Sequence, residues 1–192
     1  MNIHITPNIK EFDNLNGHHK GNLNDLANDI SVFIEKVTKD QNEICQTYSK
    51  EEMDAFYEEY QKPEKMLDFL KRGYLVYAEN KNRIIALRMI IKDRNKYIPR
   101  LFFISPEYRN SVYISILLCK RIAAKLRELG VNSYEFPALK FPETLKLYRS
   151  LPGIEEIGLS EDGLTMLFKK EINWSKQKKY LFKPFMSLQK SY

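Results

Sequence analysis

The stretch Leu101–Leu129 reads LFFISPEYRNSVYISILLCKRIAAKLREL. An apolar strand runs into Pro106, a polar turn follows over Glu107-Tyr108-Arg109-Asn110, and an uninterrupted amphipathic helix takes over from Ser111. A strand–turn–helix unit of this kind presents the free N–H groups of a helix N-terminus to an anionic ligand. The turn contains no glycine, so the pattern speaks more for a fold than for a ligand. At 1.5 Å per residue the helix is about 28 Å long. Its first half, Val112–Cys119, is apolar nearly all round, which predicts burial on more than one side, and Gly130 closes it.

Upstream, the pattern is first helical and then extended. Leu23, Leu26, Ile30, Phe33, Ile34 and Val37 recur at helical spacing and predict an apolar face on a helix starting near Asn22. Ser49 and Glu52 have the spacing of a capping box, with Met53, Phe56, Tyr57 and Tyr60 as the buried stripe of the helix they open. Pro63 begins a further helical segment through Met66, Leu67 and Leu70, ended by Gly73. Strands are predicted over Tyr74–Glu79, Arg83–Ile91 and Tyr97–Ser105, joined by the turns Asn80-Lys81-Asn82 and Asp93-Arg94-Asn95. Pro99 cannot donate a ladder hydrogen bond, so the third of these strands is edge-like or irregular near its start.

Downstream of the long helix lie a strand over Asn132–Phe136 and a short helix from about Glu143 to Arg149. A hairpin then joins Ile154–Leu159 to Leu164–Phe168 through Ser160-Glu161-Asp162-Gly163, whose Asp-Gly pair is a good turn signal. The order is (strand)–α–α–β–β–β–α–β–α–β–β, with no internal repeat.

Composition sets the outer limits. In 192 residues, 43% apolar and 12% aromatic side chains support a substantial core and exclude a disordered chain. No run approaches a membrane span and no N-terminal segment resembles a signal peptide. With only Cys45 and Cys119, the simplest expectation is a reduced, cytoplasmic setting and two free thiols. The net charge of +6 is uneven: Ile172–Tyr192 carries Lys176, Lys178, Lys179, Lys183 and Lys190 with no acidic residue. Attraction to polyanions is therefore a property of the tail more than of the domain.

The element order, together with Phe102-Phe103-Ile104-Ser105-Pro106-Glu107-Tyr108-Arg109, resembles the GNAT superfamily of acyl-CoA-dependent N-acyltransferases. The likeness covers roughly Asn2–Glu171. It implies an α/β (α+β) fold with a mixed, mostly antiparallel central sheet and helices on both faces. Residues 1–171 form the domain and 172–192 a basic, aromatic extension. In that family a loop of the form Gln/Arg-x-x-Gly-x-Gly/Ala enters the long third helix, and the CoA pyrophosphate lies on its amides. Arg109 matches the first position, whereas Val112 and Ile114 stand where small residues are expected. Glycine lets a backbone approach a phosphate closely, and a β-branched side chain can fill that space. By resemblance, Ile104, Arg109, Asn110, Ser111, Val112, Tyr113 and Ile114 would hold acetyl-CoA or another acyl-CoA.

A second matching element is Phe141–Arg149, similar to the family's Asn-x-x-Ala-x-x-x-Tyr segment, in which the tyrosine can protonate the leaving CoA thiolate. Tyr148 matches that tyrosine, while Phe141 and Thr144 replace the Asn and Ala. A phenol with a pKa near 10 is protonated at neutral pH and can act as an acid. Equally, Leu145, Tyr148 and Leu151 can be a core-facing stripe. The family's strand-borne Glu base is missing: Tyr97–Ser105 has no carboxylate, and Arg100 sits among its polar positions. Asp93 and Glu135 are the nearest substitutes by element.

The implied activity is N-acyl transfer by direct attack of an acceptor amine on the thioester, with no metal required. The competing reading is a catalytically degenerate GNAT-fold protein that contacts nucleic acid or a protein partner through its tail, where Trp174, Tyr180, Phe182, Phe185 and Tyr192 interleave the lysines. A third keeps the chemistry and changes the donor. A homodimer is compatible with the fold. His18-His19 invite a metal or base reading, but no ligand constellation accompanies them. Cys119 reads as a small core residue, and Cys45 lacks an activating base.

Overall fold

In the computed structural model, residues 8–15, 22–109 and 112–172 are described. Seven strands and five helices follow one another: β1 (Asn8–Asp13), α1 (Asn24–Cys45), α2 (Lys50–Phe56), α3 (Pro63–Lys71), β2 (Gly73–Asn80), β3 (Arg83–Asp93) and β4 (Lys96–Ile104). After a 3₁₀ turn at Pro106–Tyr108 come α4 (Val112–Glu128), β5 (Ser133–Leu139), α5 (Pro142–Ser150), β6 (Ile154–Leu159) and β7 (Thr165–Glu171). No helix among the described residues is long and apolar enough to cross a membrane.

The strands form two antiparallel sheets, β1-β2-β3-β4 and β5-β7-β6. Strand alternation sorts the first sheet's side chains between two helical layers. Leu75, Leu87, Met89, Ile91 and Leu101 face α1 and α3, packing on Ile30, Phe33, Ile34, Met66 and Leu70. Tyr74, Val76, Ala78, Ala86 and Ile90 face α4, whose stripe Ile114, Leu118, Ile122 and Leu126 repeats every four residues. The predicted fold class is thus observed, helices on both faces included. A smaller core of Phe136, Ala138 and Phe168 serves the second sheet, with Leu145 and Tyr148 of α5 against it.

Three local readings are refined. The capping box is present: Glu52 N–H donates to Ser49 Oγ (3.2 Å) and Ser49 N–H to the Glu52 carboxylate (2.8 Å). Its helix then widens into a π turn at Tyr57–Gln61. The wider turn brings Gln61 into the core, where its amide donates to Thr38 Oγ1 (2.8 Å), and leaves Tyr60 only half-buried. Of the expected stripe, Phe56 alone is fully buried. Gly73 does not cap α3 but opens β2; a Cβ there would lie 2.5 Å from the Phe69 carbonyl oxygen.

Along α4, Tyr113 is 56% exposed, so burial of the first half is not complete all round. Pro99 pairs with Ile90 beside a register shift between Arg88 and Ile90, and β4 is an edge of its ladder, as a strand proline requires. Ile172 joins the α4-side core and donates its N–H to Asn132 (2.8 Å), while the rest of the basic tail lies outside the described residues. His18-His19 also lie outside them.

Candidate active site

β4 and β5 run close to one another yet share no ladder. Each therefore turns unpaired backbone N–H and C=O groups toward the gap between the sheets. The two halves are joined across that gap by side chains. Tyr48, 5% exposed, donates its hydroxyl to the Leu164 carbonyl (2.8 Å) and accepts the Lys140 N–H (2.6 Å). Leu164 directly precedes β7 and Lys140 directly follows β5, so one phenol ties the α1–α2 corner to two strands of the second sheet. Phe141 sets its ring edge-on to Tyr48, with centroids 5.4 Å apart. A second tie runs from Tyr60 of the π turn to the Asp162 carboxylate in the β6–β7 turn.

At the end of β4 the predicted anion loop is only partly described. Arg109 does not project freely: its Nε donates to the Ile104 carbonyl (3.3 Å) and its terminal nitrogen to Gln41 of α1. Burial pushes its guanidinium pKa down. Asn110 and Ser111 lie outside the described residues. Tyr113 faces solvent, whereas Ile114 is 2% exposed and packs into the α4-side core. The second of the two bulky replacements therefore turns its side chain into the core.

Tyr148 packs its ring on Phe136 (5.0 Å) and Phe168 (5.4 Å). Burial pushes its phenol up to about 12, opposed by the Arg88 guanidinium nearby. The core-stripe reading of this tyrosine is observed: its ring packs in the second sheet's core, with the Arg88 charge near enough to act on its phenol.

The sequence reading missed this arginine. Arg88 of β3 lies opposite Phe102 of β4, with its guanidinium 5.0 Å from the Phe102 ring centroid. It donates to Cys119 Sγ (2.7 Å) and lies close enough to the Tyr134 phenol of β5 to oppose the rise in pKa that burial causes there. Burial opposes its charge, the Cys119 sulfur and the Tyr134 and Tyr148 phenols favour it, and its pKa is raised on balance. No carboxylate pairs with it among the described residues. Alternation contained the signal, because Arg88 shares the parity of Ala86 and Ile90 within the otherwise apolar run Ile84–Ile91. Cys119, expected as a small core residue, is half-buried and serves as a guanidinium's acceptor.

The candidate bases are not drawn into the gap. Asp93 is exposed at the end of β3 with Arg72 at 3.8 Å, and Glu135 is exposed on β5. Cys45 accepts from the Gln41 amide (3.0 Å).

No family model matches this chain, and no curated protein matches it in sequence. Solved structures do match. The PaiA N-acetyltransferase of Thermoplasma acidophilum, solved with coenzyme A, is 14% identical with a TM-score of 0.64, over 86% of this chain and 99% of that one. A GCN5-related N-acetyltransferase from Rhodopseudomonas palustris gives 14% and 0.58, over 88% and 97%. An aminoglycoside 6'-acetyltransferase type Ii gives 13% and 0.57, over 86% and 97%. At these identities the likeness is one of architecture: the chain has a GNAT-like fold.

Proposed function

We propose that this chain is an acyl-CoA-dependent N-acyltransferase. The observation that carries the reading is the gap between β4 and β5, which no ladder closes. An extended donor arm bearing amides can hydrogen-bond to backbone groups that a missing ladder leaves free. The coenzyme A bound by the Thermoplasma acidophilum protein, which shares the architecture, supports the same choice of donor. The inward turn of Ile114 supports room above the start of α4, where a pyrophosphate would meet helix N–H groups. In this reading Arg109, Asn110, Ser111, Val112, Tyr113 and Ile114 supply the loop, and Ile104 the strand edge beside it.

The chemistry assigned to the chain's own residues is short. The acceptor nitrogen adds to the thioester carbonyl carbon, the carbon–sulfur bond breaks, and Tyr148 gives its phenolic proton to the departing sulfur. The proton released by the amine passes to water and restores the phenol. With a pKa near 12, Tyr148 holds its proton throughout the neutral range. Arg88 favours the transient phenolate, since its guanidinium is the group that draws the Tyr148 pKa downward.

Calorimetric titration with acetyl-CoA, longer acyl-CoAs and free CoA tests the reading; absence of binding by all of them refutes it. Tyr148→Phe should lower kcat about 100-fold with little change in the donor's KM. Unchanged turnover would assign the tyrosine to packing alone.

A further inference from the structure

Among the described residues, Arg100 is a cation with no ion-pair partner. It lies on β4 with its guanidinium 6.0 Å from the ring centroids of both Tyr60 and Phe69. Its Nε is buried and has no hydrogen-bond partner. Two aromatic rings offset part of the cost of burying the charge, but they accept none of its N–H bonds.

The carboxylates around it are engaged elsewhere. Asp93 faces Arg72 at 3.8 Å and Glu59 faces Lys65 at 3.6 Å. Asp162 accepts from the Tyr60 hydroxyl, the Ser160 hydroxyl (2.6 Å) and the Leu164 N–H (2.9 Å). The Tyr60–Asp162 bond also joins the π turn to the β6–β7 turn, so Arg100 lies where the two halves of the fold meet beside β4. A π turn inside a helix is a frequent companion of functional sites, and here it is what turns Tyr60 toward Arg100.

We propose that Arg100, at the join of the two halves of the fold, recognises an anion on the acceptor, and that the acceptor is an amine carrying a carboxylate. The inference rests on the acyl-transfer reading for the word acceptor, though not for the anion site itself. A guanidinium held between rings keeps its planar fork fixed, and that fork matches a carboxylate through two parallel N–H···O bonds. The same fixed charge repels polycationic amines.

The test compares amino acids with their carboxamides as acceptors, beside phosphoethanolamine and spermidine, using the full chain and acetyl-CoA. At least one acid should exceed its amide by about tenfold or more in kcat/KM, a charge-assisted bond's worth. Arg100→Gln should reduce that ratio to within about twofold while leaving CoA affinity unchanged and Tm no lower than that of the wild type, and Arg100→Lys should restore part of it. Equal use of acids and amides, a preference for spermidine, or a preference for phosphoethanolamine over every acid overturns the proposal. So does an Arg100→Gln variant that keeps the wild-type ratio. Thermal shifts with the same acid and amide pairs separate the two readings. Stabilisation by acids alone, lost in Arg100→Gln, in a chain that binds no CoA, removes acyl transfer and keeps the anion site.

Discussion

Removing one oxygen, by Tyr48→Phe, should loosen the join between the two halves of the fold. The hydroxyl is buried and holds two backbone groups, the Leu164 carbonyl at 2.8 Å and the Lys140 N–H at 2.6 Å. Phenylalanine keeps the ring and its edge-on contact with Phe141, so packing is preserved and both backbone groups lose their partner. An unsatisfied buried group costs about 1–3 kcal/mol, which makes the pair worth about 2–4 kcal/mol once partial rehydration is allowed for. For a domain of this size that is roughly 4–16 °C in Tm. Urea unfolding and calorimetry measure the loss, and amide exchange at Lys140 localises it, since that N–H should exchange faster than its neighbours in β5. A stability change below about 0.5 kcal/mol with unaltered exchange at Lys140 would show that the hydroxyl is not what joins the sheets.

Gly73→Ala should destabilise by about 2 kcal/mol or more in urea, because its Cβ would sit 2.5 Å from one backbone oxygen and 3.1 Å from another. Stability should also fall at alkaline pH. Burial raises the folded-state pKa of Tyr48 and of Tyr148 to about 12, above the unfolded value near 10. The folded state therefore holds these protons more tightly, and its advantage, complete below about pH 10, is lost as pH rises to about 12. Replacing either tyrosine with phenylalanine should flatten that decline in a pH series of urea midpoints.

How much was legible in the sequence depends on which interaction defines each feature. The strand–turn–helix at Leu101–Leu129, the Ser49 capping box and the Asp-Gly hairpin are set by neighbours a few residues apart, and each appears as read. The π turn is also local, but no residue type marks an i→i+5 bond, so a stripe continued at α-helical pitch reaches Tyr60, whereas the π turn advances the inward position to Gln61. The break between β4 and β5 is not local at all. Whether two strand edges pair depends on how the flanking layers hold them, and the residues that hold them, Tyr48 and Tyr60, lie far from either strand in sequence. Ile114 stands where a small residue is expected in the anion loop, and its phase on α4, shared with Leu118 four residues on, places it in the core.

Arg88 and Arg100 belong to one electrostatic design. They sit on opposite faces of the first sheet, one with α4 and Tyr148, the other with α3 and Tyr60. Neither has a carboxylate partner among the described residues, and each rests on aromatic rings instead. A carboxylate beside Arg88 would cancel the field that favours a Tyr148 phenolate; one beside Arg100 would occupy the fork that the proposed acceptor carboxylate would use. Pairing either arginine would improve the free protein's internal electrostatics, because an unpaired buried charge is among the costlier things a fold can hold. The cost makes sense if negative charge arrives with the reactants, on the departing sulfur at one face and on the acceptor at the other. The absence of a base on β4 then has a physical counterpart: a cation at that strand lowers the pKa of any ammonium brought near it, so the amine more readily reaches the thioester uncharged.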